Sequence, residues 1–194
     1  MISLKHRNYP GEKDCGDQLQ YWQDEKQLTC CVVDGLGHGS DAKEAACKII
    51  HFVDSHRSDP PVKLFTACDQ AMRHERAGVM AMAWIEDNLL TYAAAGNITG
   101  YLARENSEQG SYKLEQLNMD RGMIGGGFRK LNVQTLTLSE GDLLIMHSDG
   151  LNPFYHLEPW KTVANNSDKL AQMLLEDQSK GTDDACVLVY RHGS

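Results

Sequence analysis

The run Leu28-Thr29-Cys30-Cys31-Val32-Val33-Asp34-Gly35-Leu36-Gly37-His38-Gly39-Ser40 decides the reading of this chain. Its first part, Leu28 to Val33, is apolar and β-branched, the composition of a buried strand. The strand stops at Asp34-Gly35, and Ser40 reads as the N-cap of a following helix. From Asp41 to Ser55 the positions Ala42, Ala45, Ala46, Ile49, Ile50 and Val53 recur at helical spacing. Strand, acidic glycine-rich turn and helix therefore succeed one another within about thirty residues.

Outward from this run, Leu19 to Gln23 predicts a short preceding strand. Pro60-Pro61 ends the first helix, and Val62 to Arg76 (Leu64, Phe65, Cys68, Ala71, Met72) predicts a second amphipathic one. Val79 to Ile85, Leu89 to Ala95 and Ile98 to Ala103 predict a meander with turns near Glu86-Asp87-Asn88 and Gly96-Asn97. Tyr112 to Leu117, Leu131 to Leu138 and Asp142 to His147 continue the β pattern. One helix near Asp168 to Asp177 and a strand from Ala185 to Tyr190 close the chain. Strands in a run, with paired helices, imply an α+β fold of packed antiparallel sheets flanked by helices rather than βαβ units.

The length of 194 residues fits one domain spanning 1–194. A net charge of −8 disfavours nucleic acid as a partner, because that binding depends on basic patches that neutralise phosphates. With 41% hydrophobic and 24% charged residues the composition is globular rather than disordered. No apolar run reaches the ~18 residues needed to cross a bilayer, and Met1 to Arg7 lacks a secretory apolar stretch. The expectation is a cytoplasmic protein with no membrane partner. Cys15, Cys30, Cys31, Cys47, Cys68 and Cys186 contain no C-x-x-C pair and read as small hydrophobes, with Cys30 and Cys31 on opposite faces of their strand.

Four acidic sites share one local pattern, an Asp beside a turn at a strand end: Gly16-Asp17, Val33-Asp34-Gly35, Ser148-Asp149-Gly150 and Thr182-Asp183-Asp184. Any one of them is an ordinary turn residue. As a set on one rim they would repel one another, and hard divalent cations with oxygen ligands relieve that repulsion. Four carboxylates at −4 and two divalent cations at +4 balance. Mg²⁺ or Mn²⁺ suits such donors better than zinc.

These motifs, together with Leu36-Gly37-His38-Gly39 and Ile145-Met146-His147, occur in an order that resembles the metal-dependent Ser/Thr protein phosphatases of the PPM, or type 2C, superfamily. The likeness is nearest to the bacterial branch that acts on regulators of sigma-factor pathways, and it extends from about Asp14 to Val189. It implies a four-layer sandwich with two Mn²⁺ or Mg²⁺ ions at one edge. By that resemblance Asp34 bridges the ions, the Gly35 carbonyl binds the second, and Asp149 and Asp183 hold the first. Asp17 binds metal directly or through water, and Asp184 supports the ligands from behind. A hydroxide shared by the ions would attack phosphorus, with no protein nucleophile.

The position where eukaryotic relatives carry a histidine after Asp-Gly is Leu36 here, and His38, two residues on, is the candidate for phosphate contact or protonation of the leaving oxygen. Lys13 stands in for the upstream arginine with which relatives bind phosphate. Asn97 matches a family turn and reads as structural. Gly122 to Gly127 reads as a plain loop, since no Lys-Ser or Lys-Thr follows as a P-loop requires. His51, His56, His74 and His147 show no metal spacing and read as surface or packing residues, and Met80 and Met82 read as core. The resemblance implies a phosphorylated protein substrate, namely stressosome scaffold proteins. The alternatives are an anti-sigma-factor antagonist as substrate, or a pseudophosphatase that binds a partner without turnover.

Overall fold

The computed structural model describes residues 1–106 and 111–193; residue 194, the last of the expected domain, lies outside them. Twelve strands and three α-helices follow the order β1(Ile2–Arg7) β2(Asp17–Gln23) β3(Gln27–Gly35) α1(Gly39–His56) α2(Pro61–Ala71) β4(Gly78–Glu86) β5(Leu89–Ala95) β6(Thr99–Asn106) β7(Ser111–Gln116) β8(Gly122–Met123) β9(Gly127–Phe128) β10(Gln134–Thr137) β11(Leu143–His147) α3(Ser167–Gln178) β12(Ala185–Arg191) among the described residues. A 3-10 turn, Glu158–Val163, precedes α3.

Two five-stranded sheets carry the fold, ordered β1-β12-β11-β6-β7 and β10-β5-β4-β3-β2. Every strand pair in them is antiparallel. Between the sheets, Cys30, Val32, Ala81, Ala83 and Tyr92, at alternate positions of β3, β4 and β5, face Leu102, Leu144, Met146, Cys186 and Leu188 of the other sheet. The opposite positions of β3 and β4, Cys31, Val33, Met80 and Met82, pack under α1 and α2 with Ala46, Ile49, Leu64 and Phe65. On the far side, Ile145, Val187 and Val189 meet Leu170, Leu174 and Trp160. Period-two alternation on strands buried on both faces thus builds four layers, helix, sheet, sheet and helix. The α+β sandwich expected from the sequence is the fold observed, and Cys30 and Cys31 do face opposite layers.

Three elements differ from the sequence reading. β1 went unread because Ile2-Ser3-Leu4-Lys5-His6-Arg7 alternates weakly; its pairing with β12 supplies the order. Helix α1 begins at Gly39, with His38 rather than Ser40 at the N-cap and no side-chain cap bond. The expected plain loop at Gly122 to Gly127 is a short hairpin, β8 with β9, fastened to the body at two points. Gly78 exchanges backbone hydrogen bonds with Ile124 at 3.1 and 2.7 Å. A carboxylate oxygen of Asp69, on α2, accepts from the N–H of both Gly125 and Gly127 at 2.9 Å. Among the described residues no helix is long and apolar enough to cross a membrane.

Candidate active site

The acidic strand ends meet at one end of the sandwich. Asp34 closes β3 and pairs in register with Asp17 on β2 and Val79 on β4. Asp149 follows β11, and Asp183-Asp184 precede β12, so two sheets contribute. Glycines let the backbone at these strand ends approach its neighbours closely. A Cβ on Gly35 would lie 2.1 Å from the Ala42 carbonyl oxygen of α1, and one on Gly150 would lie 1.9 Å from the Asp184 oxygen. Glycine after each aspartate is thus a requirement of close backbone approach.

Asp34, Asp149 and Asp183 share the wall of one cavity of about 650 Å³, with His38, Asn97 and Arg121. Asp17 and Asp184 stand behind that wall. Asp17 is buried, and the Ser148 hydroxyl donates to its Oδ2 at 2.5 Å. Ser148 Oγ in turn accepts from the Cys186 N–H at 3.0 Å. Asp184 accepts from the N–H groups of Tyr9 at 2.7 Å and Gly16 at 2.9 Å, tying the start of β12 to the segment that carries Asp17.

The electrostatics of the cluster are adverse. Burial, and then repulsion from Asp17, Asp149 and Asp183, push the Asp34 carboxyl well above the ordinary range. Asp17 is raised chiefly by burial, against the lowering pull of its Ser148 bond. Asp183 is also raised, first by burial. The Asp34 carboxylate receives no hydrogen bond among the described residues. Asp149 Oδ2 accepts from the Asn97 amide at 2.7 Å, and Asp183 Oδ1 accepts from the Asp184 N–H at 2.9 Å. Among the described residues, no three His, Cys, Asp or Glu side chains are grouped closely enough to hold a metal ion as they stand. The chemistry of the donor set nevertheless fits a hard divalent cation: all oxygen, negative and lacking internal compensation.

His38 lines the cavity. Its ring stacks on Tyr9 at 4.3 Å between centroids, and Nδ1 lies 3.1 Å from Glu12 Oε1. Lys13 does not reach the cavity: it is exposed, and its carbonyl accepts from Asn8. The cation on the wall is Arg121 instead. Asn97, read as structural, is a partner of Asp149. Neither residue carried a spacing signal, since each acts across the fold from its partners. His147 is buried against Tyr101 and Phe154, a packing residue as read.

A family model described as Stage II sporulation protein E (SpoIIE) matches residues 24–193. The chain belongs to the SpoIIE family. Over 147 residues this SpoIIE domain is 32% identical to phosphoserine phosphatase RsbX of Bacillus subtilis (strain 168), covering 75% of this chain and 71% of that protein. A solved chain from work on the bacterial stressosome as a modular system adapted to control secondary messenger signalling superposes with a TM-score of 0.87 at 26% identity, covering 98% of both chains. RsbX in complex with magnesium superposes with a TM-score of 0.80 at 25% identity, over 97% of this chain and 92% of that one. The S. agalactiae serine/threonine phosphatase, at 17% identity, shares the fold with a TM-score of 0.78 over 99% of each chain. This SpoIIE domain is a protein serine/threonine phosphatase. Asp17 lies before the matched segment, whereas Asp34, Asp149 and Asp183 lie within it.

Proposed function

We propose that this chain, acting as one domain, removes phosphate from phosphoserine or phosphothreonine on a stressosome scaffold protein in the cytoplasm, with two Mg²⁺ or Mn²⁺ ions. The observation that carries the reading is the convergence of Asp34, Asp149 and Asp183, from both sheets, on one cavity. Similarity to RsbX and to a stressosome-related chain supports the substrate class.

Asp34, Asp149 and Asp183 would hold the ions, with the Gly35 carbonyl as a further oxygen donor. Oδ1 of Asp149 and Oδ2 of Asp183 are the oxygens left for this task once Asn97 and the Asp184 amide are served. Asp17 acts through Ser148, or through water, from its buried position. Divalent cations held there would supply positive charge to the phosphoryl oxygens and would make an attacking water more acidic.

His38 is assigned the leaving group. With Nδ1 turned to Glu12, Nε2 is the ring atom left to give a proton to the departing serine oxygen. Tyr9, stacked on the ring and held through its backbone by Asp184, keeps that imidazole in place.

Purified protein should hydrolyse a phosphorylated scaffold protein in Mn²⁺ or Mg²⁺ and lose that rate in EDTA. Asp34→Asn and Asp149→Asn should abolish turnover with the fold intact by circular dichroism. Full activity in either variant sinks the ligand assignment. Binding of the scaffold protein without metal-dependent turnover would mark a pseudophosphatase, and preference for an anti-sigma-factor antagonist would redirect the substrate.

A further inference from the structure

We propose that Arg121 is the residue that grips the substrate's phosphoryl group. This rests on the phosphatase-centre reading above and adds the recognition that the carboxylates cannot provide. With the carboxylates balanced by two divalent cations, the centre would be left near neutral, and a fixed cation on the same wall adds the positive charge that a dianionic phosphate still lacks. Among the described residues, Arg121 is the lone lysine or arginine lining the cavity.

Two neighbouring cations are committed elsewhere, and a third, Lys180, which favours the charged form of Asp183, does not line the cavity. Arg76 donates to the Leu36 carbonyl at 2.9 Å and to Asp41 at 3.0 Å. Lys43 is bonded to Asp14 at 2.7 Å. The Arg121 side chain has no hydrogen-bond or ion-pair partner among the described residues, so its planar fork of donors is uncommitted. A guanidinium in that state suits two oxygens of one phosphate bidentately.

Its mounting is as specific as its charge. Asp120 is held by backbone bonds to the end of β5, Gly96 N–H to the Asp120 carbonyl at 2.8 Å and Asp120 N–H to the Ala94 carbonyl at 3.0 Å. The Asp120 carboxylate also accepts from the backbone and side-chain N–H groups of Asn132, both at 2.5 Å. The turn Gly96-Asn97 that anchors Arg121's base also supplies the amide that holds Asp149. Arg121 and Asp149 are therefore fixed to one piece of backbone, and the hairpin after Arg121 is stapled by Asp69. With its backbone so held, only the rotamers of this exposed side chain remain to be ordered over a bound anion.

The test compares Arg121→Gln and Arg121→Lys with the natural protein in Mg²⁺, using a phosphoserine peptide, para-nitrophenyl phosphate and inorganic phosphate as product inhibitor. Arg121→Gln should raise KM for both substrates and the inhibition constant for phosphate about tenfold, with kcat changed less. Arg121→Lys should recover part of the loss, and thermal melting should be unchanged in both. A raised KM for the peptide alone, with phosphate inhibition untouched, overturns the proposal and makes Arg121 a reader of the peptide chain. No change in any constant overturns it too. If the natural protein hydrolyses neither substrate, the phosphatase-centre reading fails by itself. Calorimetric titration of phosphate then still decides Arg121: weaker binding by Arg121→Gln upholds the grip, and equal or undetectable binding by the natural protein overturns it.

Discussion

The Asn97 amide donates to Asp149 Oδ2 at 2.7 Å, linking the turn after β5 in one sheet to the strand end after β11 in the other. The bond engages one oxygen of a carboxylate that would otherwise face Asp34 and Asp183 without any neutral partner. Orienting partners of this kind set both the direction and the affinity of a ligand. Asn97→Ala should therefore weaken the Mg²⁺ requirement constant about tenfold while leaving the fold in place. Calorimetric Mg²⁺ titration and activity against Mg²⁺ concentration measure it; unchanged affinity would reduce Asn97 to a turn residue.

Asp34, with the buried Asp17 beside it in register, shapes the pH response of the protein stripped of metal by EDTA. Burial and neighbouring carboxylates raise its carboxyl from 3.8 to about 8. Between these values the folded state keeps a proton that the unfolded state has released, so stability falls as pH rises. Urea denaturation in EDTA should accordingly give a lower midpoint at pH 8 than at pH 5, and Asp34→Asn should reduce the difference, leaving the part that Asp17 contributes. Stability that rises over this window would contradict the burial argument.

His38 should matter in proportion to the leaving group's need for a proton. Removing a general acid costs on the order of 10²-fold or more. His38→Ala should lose about that factor in kcat on a phosphoserine peptide, yet much less on para-nitrophenyl phosphate, whose phenolate departs unaided. Steady-state kinetics on the two substrates separate this from a purely structural loss, which would lower both alike.

Gly35 admits no side chain. A Cβ there would sit 2.1 Å from the Ala42 carbonyl oxygen, which is backbone and cannot swing aside. Gly35→Ala should cost about 3 kcal/mol or more, because overpacking at this contact must displace α1 from β3. Denaturant titration reads the loss; a variant of native stability would mean that the helix is free to shift.

Local sequence patterns determined much of this protein. The short apolar runs of β3, β4 and β5, the helical spacing from Ala42 to Val53, and the glycines after Asp34 and Asp149 follow from side-chain character, period and backbone sterics, which act over a few residues. They sufficed for the layered α+β fold and for Asp34, Asp149 and Asp183 as a set. Only the tertiary structure decided which groups face those carboxylates. Arg121 and not Lys13 reaches the cavity, Asn97 meets Asp149 across 52 positions of sequence, and Asp17 turns to Ser148 behind the wall. Such partnerships depend on how the two sheets stack and where their ends overlap. No local period encodes that distance, because the contact belongs to neither segment alone.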